Sequence, residues 1–319
     1  MNIVTIFGAS GFIGRYVVRE IAKTGAHVRA AVRRPERAGF LKPMGTVGQI
    51  IPIAANIRDD ASVAAALAGA DTVINLVGIH QNRGAQNFAS LQAEGAARVA
   101  TAAAAAGVAS FVQISAIGAD DESDSIYAST KGVGEKHVLN SFPGAHILRP
   151  SVVFGPEDDF FNKFAAMARI SPVLPLIGSG NTKFQPVYVG DVADAVAAVA
   201  GGAGTSGQIY ELGGPNVYSF RELLEITLAA IRRKRLLLPI PFPVAHIQAA
   251  MAELAFAVPT ALNLGPLTPI TRDQVRLLRK DNVTSGDFPG LVDLGIRATA
   301  LDTILPTYLK RYRRGIWHT

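Results

Sequence analysis

The seven residues Gly8-Ala-Ser-Gly11-Phe-Ile-Gly14 constrain this chain more than any other stretch. They follow a β-rich run over residues 2–7 and open a helical pattern over 12–23. Glycines at this spacing let a strand-to-helix turn tighten, let backbone approach a pyrophosphate, and let helix pack on strand. The helix start adds unpaired amides and a partial positive charge. A tight turn that binds nothing is the alternative. Its place at the first strand–helix junction favours dinucleotide binding, with Gly8, Ser10, Gly11, Phe12, Ile13, Gly14 and Arg15 at the phosphate end.

The order of elements agrees. Strand patterns at 27–32, 49–53, 72–77, 110–115 and 145–148 alternate with helical patterns at 60–67, 89–106 and 126–140. Strands alternating with helices mean right-handed crossovers and a parallel sheet covered on both faces. The expected class is α/β, a doubly wound Rossmann sheet with its ligand outside the carboxyl ends of the strands. After Arg149 the pattern loosens into helices at 160–170, 191–200, 220–233, 244–258, 272–280 and 300–311, with short strands at 186–189 and 208–212. The chain is therefore expected to divide into a nucleotide-binding domain over 1–150, helped by about 184–200, and a smaller mixed substrate-like or docking region over 151–319.

The second strand chooses the nucleotide. An acid at its end would bind the ribose 2′-hydroxyl of NAD, and an arginine the 2′-phosphate of NADP. Here it ends Ala31-Val32-Arg33-Arg34-Pro35, without an acid. Guanidinium suits phosphate, so Arg33 and Arg34 favour NADP(H) over NAD; the alternative is a solvated basic edge. Asn56 and Ile57, after the third strand, are expected at the adenine edge, and Leu76, Val77 and Gly78 beside the nicotinamide ribose. Tyr127 and Lys131 stand at i and i+4, so they share one helix face. A cation there favours phenolate and can ready a phenol for proton transfer. The plainer reading has both residues simply hold the nicotinamide ribose.

Taken together, GASGFIG, YASTK at 127–131, RPSVVFGP at 149–156 and PVYVGDVADAV at 186–196 resemble the extended or atypical branch of the short-chain dehydrogenase/reductase superfamily. A narrower resemblance runs nearly end to end. FLKPMGTVGQI at 40–50, YASTKGVGEKHV at 127–138, LLLPIPFP at 236–243, PITRDQV at 269–275 and FPGLVDLGI at 288–296 look like the dehydrogenase-like accessory subunit family of respiratory complex I, NADH:ubiquinone oxidoreductase (alpha subcomplex subunit 9). The resemblance implies a peripheral subunit that holds NADP(H) tightly for structure more than turnover, seated near the junction of peripheral and membrane arms. It implies a catalytic or vestigial trio of Tyr127, Lys131 and Ser115, and adds Pro150 and Val153 to the cofactor side. Aligned on the family's fifth strand, the substrate-facing serine slot falls on Ala116. Losing one donor to a developing oxyanion costs ~3 kcal/mol, roughly a hundredfold in rate. The alternative is an active NADP-dependent reductase or epimerase using Tyr127 and Lys131. A redox or quinone sensor with slow nucleotide exchange ranks third.

Composition sets the remaining bounds. With 49% hydrophobic and 18% charged residues, a packed core is expected. The absence of cysteine excludes disulfides, zinc–thiolate sites and a thiol nucleophile. No metal-ligand cluster is visible; His137 and His146 read as surface or satisfied residues, and Asp191 as a helix N-cap. No apolar run reaches the ~20 residues of a membrane span; the nearest, 236–258, is broken by Pro239, Pro241 and Pro243. The chain opens straight into a strand pattern, and no secretory or transit peptide is read there. The net charge is +6, and two basic groups, 232–235 and 310–314, lie beside apolar stretches, the second just before Ile316 and Trp317. That mixture suits a membrane surface or an acidic protein face, and no nucleic-acid motif accompanies it. The expected location is peripheral, on the cytoplasmic side of an inner or plasma membrane, or the matrix side in an organelle.

Overall fold

The structure is a computed structural model and describes residues 2–79, 82, 86–256 and 270–313. The chain runs β1 (Ile3–Phe7), α1 (Phe12–Lys23), β2 (His27–Val32), β3 (Ile50–Ala54), α2 (Asp60–Leu67), β4 (Thr72–Asn75), α3 (Glu94–Ala105), β5 (Ser110–Ile114), α4 (Ile126–Ser141) and β6 (His146–Pro150). There follow β7 (Val153–Phe154), α5 (Phe160–Ile170), β8 (Val173–Ile177), β9 (Lys183–Phe184), β10 (Val187–Tyr188), α6 (Val189–Ala200), β11 (Ile209–Leu212) and β12 (Tyr218–Ser219). The last are α7 (Phe220–Ala230), β13 (Leu236–Ile240), α8 (Phe242–Phe256), α9 (Arg272–Leu277) and α10 (Leu301–Leu309).

The chain passes between two compact units, the first including residues beyond 150 that cover most of the expected contribution from about 184–200. The first comprises Met1–Pro150, Val189–Leu212 and Thr284–Arg297; the second comprises Ser151–Tyr188, Gly213–Val283 and Ala298–Thr319. The first unit needs its later segments because β11 completes its sheet. Seven strands lie in the order β11-β6-β5-β4-β1-β2-β3, and every pairing is parallel. The doubly wound α/β class is thus observed, with the order reversing between β1 and β4, where such sheets take ligands. The core has Phe7, Phe111, Leu67 and Ile147 on strands and helix faces. The alanine run serves close packing: Ala96, Ala100 and Ala103 are fully buried on α3.

The second unit is organised by aromatic packing. Phe160 meets Phe161, Phe164, Phe184 and Phe220 at ring-centroid distances between 5.0 and 6.1 Å, close enough for edge-to-face attraction. Leu174 and Leu176 of β8 join this core. The proline-rich stretch after residue 235 is itself a strand: β13 pairs in parallel with β8, Leu236 opposite Val173 through Ile240 opposite Ile177. Proline is tolerated on an edge strand because one side of its backbone bonds to no neighbour.

Some expected bounds move. The helix predicted over 89–106 opens with a π-helical turn, Ala89–Ala93, before α3. The helices predicted over 220–233 and 272–280 end at Ala230 and Leu277. α8 begins before residue 244, and residues 257 and 258 of that prediction lie outside the described residues, as do Pro269, Arg314, Ile316 and Trp317. Asp191 is not an N-cap: α6 starts at Val189, so Asp191 is its third residue, and it is buried. Among the described residues no helix is long and apolar enough to cross a membrane.

Candidate functional site

The glycine turn forms the floor of the site. Gly8 sits at φ +79°, and a Cβ there would come 3.1 Å from the Leu76 carbonyl carbon, so glycine meets both a left-handed backbone and a close approach. Its N–H donates to Ala31 O at 3.2 Å, and the Gly11 N–H donates to Gly8 O at 2.9 Å. Gly14 is the tightest position: a Cβ would lie 2.3 Å from Gly8 O and 2.6 Å from Ala9 O. α1 therefore begins against the turn, with Gly11 as N-cap, no side-chain cap and no acid in its first turn. These are the conditions under which a helix start accepts an anion. Ser10, Phe12 and Ile13 belong to this turn and first helical residues.

Arg15 holds its guanidinium 5.2 Å from the centre of the Phe40 ring. Arg33 and Arg34 follow β2 directly and are exposed. Ile57 is buried. Asn56 uses Oδ1 to accept from the Arg58 N–H at 3.2 Å, which leaves the other lone pair for a base. Leu76 donates from N to Phe7 O at 3.0 Å, and Val77 donates from N to Asn75 Oδ1 at 3.2 Å.

α4 delivers Tyr127 and Lys131. Ser125 caps its start, accepting from the Ala128 N–H. Lys131 is 6% exposed and donates from Nζ to Ile114 O, the last carbonyl of β5, at 3.2 Å. A Cβ built on Gly78 would lie 3.5 Å from that Nζ, so the ammonium stands beside the loop expected to pass the nicotinamide ribose. Burial holds Lys131 down at about 8, with the Glu135 charge pulling the other way. Tyr127 stacks edge-on against Phe88 at 5.8 Å, and burial pushes its phenol up to about 12. Lost solvation disfavours the charged phenol, so Tyr127 keeps its proton at neutral pH. Ser115, just past β5, donates from N to Leu148 O at 2.7 Å. Its buried hydroxyl meets no hydrogen-bond partner among the described residues. Burying a hydroxyl unpaired is costly, so this oxygen is suited to a ligand.

Four further residues hold the site, and sequence reasoning did not single them out. Gln92, in the π turn, donates to Ile79 O at 2.9 Å and accepts from Thr130 Oγ1 at 3.0 Å. It ties the loop after β4 to α4; a π turn is frequent at functional sites. Gln113 accepts from Asn75 Nδ2 and donates to Ile114 O, each at 2.9 Å, fixing the carbonyl that Lys131 also uses. Glu135, buried, and Arg149, half-buried, form an ion pair. The apolar strand pattern of β5 would have marked Gln113 as a polar residue in an apolar run.

Pro150 ends β6 in the first unit, and Val153 opens β7 in the second. His137 is exposed. His146 departs from expectation: it is buried against Tyr210, and its ring nitrogens meet no hydrogen-bond partner among the described residues. Burial lowers its pKa, which keeps it neutral. Among the described residues no group of three or more metal-ligating side chains gathers.

Known proteins bear on this geometry. The model of the NAD dependent epimerase/dehydratase family matches residues 4–213. The NADH dehydrogenase [ubiquinone] 1 alpha subcomplex subunit 9 of Arabidopsis thaliana is 36% identical over 317 residues, covering 98% of this chain and 78% of that protein. The subunit of the same name from Rattus norvegicus is 33% identical, covering 99% and 81%. Among solved structures, an NADPH-dependent quinone oxidoreductase of Escherichia coli complexed with NADPH superposes with a TM-score of 0.73 at 22% identity, over 97% of this chain and 99% of that one.

Proposed function

We propose that this chain, which belongs to the NAD dependent epimerase/dehydratase family and within it to the family of the NADH dehydrogenase alpha subcomplex subunit 9, is an accessory subunit of respiratory complex I that holds NADP(H) rather than turning it over. The observation that carries this reading is the similarity running over 98% of the chain, through the C-terminal region as well as the nucleotide fold. The residues fit the cofactor: the Gly8–Gly14 cradle has room only for backbone, and the orphaned Ser115 hydroxyl wants a partner. A nicotinamide nucleotide supplies hydride chemistry when bound. The chain's part is to bind it at the start of α1, to orient it with Lys131 and Tyr127, and to keep the phenol neutral. Ala116 at the substrate-facing slot weighs against turnover.

The preference for NADP(H) rests on Arg33 and Arg34. Arg33→Ala is expected to weaken NADPH binding by roughly tenfold or more, the worth of one charge-assisted hydrogen bond, and to leave NADH nearly unaffected. Paired titrations with the two nucleotides check this; equal losses for both would remove Arg33 from the 2′-phosphate site. Affinity should also depend on pH. Lys131 is cationic below about 8 and loses its charge above it. Binding of either anionic nucleotide is therefore strongest below that value and falls as pH rises through it, by several-fold up to about pH 9. Lys131→Met should flatten this alkaline limb.

In the second unit, exposed apolar residues offer a docking face. Leu236 and Leu238 on β13 and Val244, Ile247 and Met251 on α8 are 44–68% exposed, and the last three share one helix stripe. Exposed Arg232 and Lys234 lie beside them. Other charges of the basic groups serve the fold: Arg233 donates to Tyr312 O, Arg235 to Ala168 O and Arg311 to Pro156 O. The partners we assign are complex I subunits of the peripheral arm and the membrane surface beneath them. The location is peripheral, cytoplasmic in a bacterium or matrix-facing in an organelle.

Tyr127→Phe tests the role. The reading expects the NADH:quinone oxidoreductase activity of the assembly to stay within about twofold of the unaltered protein, with nucleotide bound at most about tenfold more weakly, the worth of one hydrogen bond. The second reading, an NADP-dependent reductase or epimerase, draws on the intact Tyr127–Lys131 pair and the Ser115 hydroxyl. A carbonyl substrate whose turnover vanished in Tyr127→Phe would establish it instead.

A further inference from the structure

A line of buried charges runs from the candidate nucleotide site to a segment distant in sequence. Glu135 follows Lys131 by one turn of α4, and its side chain is 5% exposed. Arg149 of β6 donates to it from Nε to Oε1 at 2.9 Å and Oε2 at 3.2 Å, and from Nη2 to Oε2 at 2.5 Å. The Arg149 guanidinium also stands 5.2 Å from the centre of the Phe288 ring and feels the charge of Glu211 on β11. Glu211, itself 5% exposed, accepts at Oε2 from Ser285 N at 2.6 Å and Ser285 Oγ at 3.0 Å. Its own N–H donates to Pro289 O at 2.9 Å.

Charge alternates along Glu135, Arg149 and Glu211, with Arg149 and Glu211 opposite each other across β6 and β11. In a low-dielectric interior, removing Glu211 leaves part of the Arg149 charge uncompensated. At the far end, residues 284–297 belong to the same compact unit and present Val292 at 81% exposure. A group that met this segment would act on the charge that faces the nucleotide.

We propose that segment 284–297 tightens nucleotide retention through Glu211 and Arg149, whose partner Glu135 lies one turn of α4 from Lys131. This rests on the reading of Lys131 as a nucleotide ligand. If the segment stabilises the bound form, the bound form must stabilise the segment by the same factor.

Hydrogen exchange on the full chain, with and without NADPH, tests that reciprocity. NADPH should slow exchange at the Ser285 amide by about fivefold or more, the lower range of allosteric coupling. Phe288→Ala and Glu211→Gln should each weaken NADPH and NADH by one common factor of about that size. Glu211→Asp, which keeps the charge, should recover most of it. Unchanged exchange at 285–289, or variants that lower only the thermal midpoint of the nucleotide-free chain, would overturn the coupling. Lys131→Met separates the two ideas: if it weakens binding while segment and site ignore each other, the ligand reading stands and the coupling fails. If Lys131→Met binds NADPH unchanged, the ligand reading itself fails. Should Phe288→Ala not fold, the exchange measurement on the unaltered chain decides.

Discussion

Gly14→Val is expected to abolish nucleotide binding, raising the NADPH dissociation constant by at least about a hundredfold. The first added carbon already lies 2.3 Å from Gly8 O and 2.6 Å from Ala9 O, where carbon contacts normally settle at about 3.5 Å. Both clashing atoms are backbone, held by the Gly8 bond to Ala31 O and the Gly11 bond to Gly8 O, so no side chain can swing away. The only relief is for the start of α1 to move off the turn. That movement carries with it the unpaired amides on which an anion would rest. Some stability goes too, about 1–3 kcal/mol for overpacking. A titration followed by nucleotide fluorescence checks the affinity, and thermal melts with and without NADPH check that the loss is local. A variant that bound NADPH within about threefold of the parent would remove the glycine turn from the site.

The second large effect falls on Asp158, in the other compact unit. Its carboxylate is 3% exposed and accepts from Phe161 N at 2.7 Å, Asn162 N at 3.1 Å and Gly155 N at 3.2 Å. The Tyr308 hydroxyl, 150 residues away in sequence, donates to it as well. One side chain therefore caps the start of α5 and ties α10 to it. Asp158→Ala leaves four donors, three of them buried, to share what water can reach them. Each stranded group costs about 1–3 kcal/mol, and allowing for relaxation the loss should be roughly 3–4 kcal/mol. The pH dependence gives a second reading. Burial outweighs those four bonds and raises the Asp158 pKa to about 6. Between the ordinary carboxylate value and about 6 the folded state binds the proton that the unfolded state has lost. Stability therefore falls as pH rises through that window, by up to about 3 kcal/mol, and is constant above it. Urea melts of parent and variant at several pH values between 4 and 7 should differ by a slope of that sign. A difference that did not change across the window would mean that the carboxyl ionises normally.

How much of this could be read in the chain itself depended on distance along it. Helices 12–23, 60–67 and 160–170 and strand 27–32 match α1, α2, α5 and β2, because periodicity and glycine stops are local signals. The glycine turn was legible for the same reason: Gly8 needs a positive φ and Gly14 needs the absence of a Cβ, and both demands arise within seven residues. β13 was not legible, since Pro239 speaks against a strand until β8 appears beside it. Spacing shows the lysine beside Tyr127 but not the loss of water around the phenol. Glu135 looked like one more polar position on a helix until Arg149, on another element, closed on it. Asp158 and Tyr308 are the extreme case, joined only by the finished fold. The return of about 184–200 to the first unit was legible, but its extension to residue 212 through β11 and the addition of 284–297 belong to the same class.

The measurement that bears most directly on the central claim is native electrophoresis of gently solubilised membranes, with nucleotide acid-extracted from the band containing this chain. The account predicts that the chain travels with NADH:quinone oxidoreductase activity and carries about one NADP(H) per copy, retained through dilution as expected of a tightly held ligand. A chain running alone, apart from that activity and with nucleotide that exchanges freely, would contradict it.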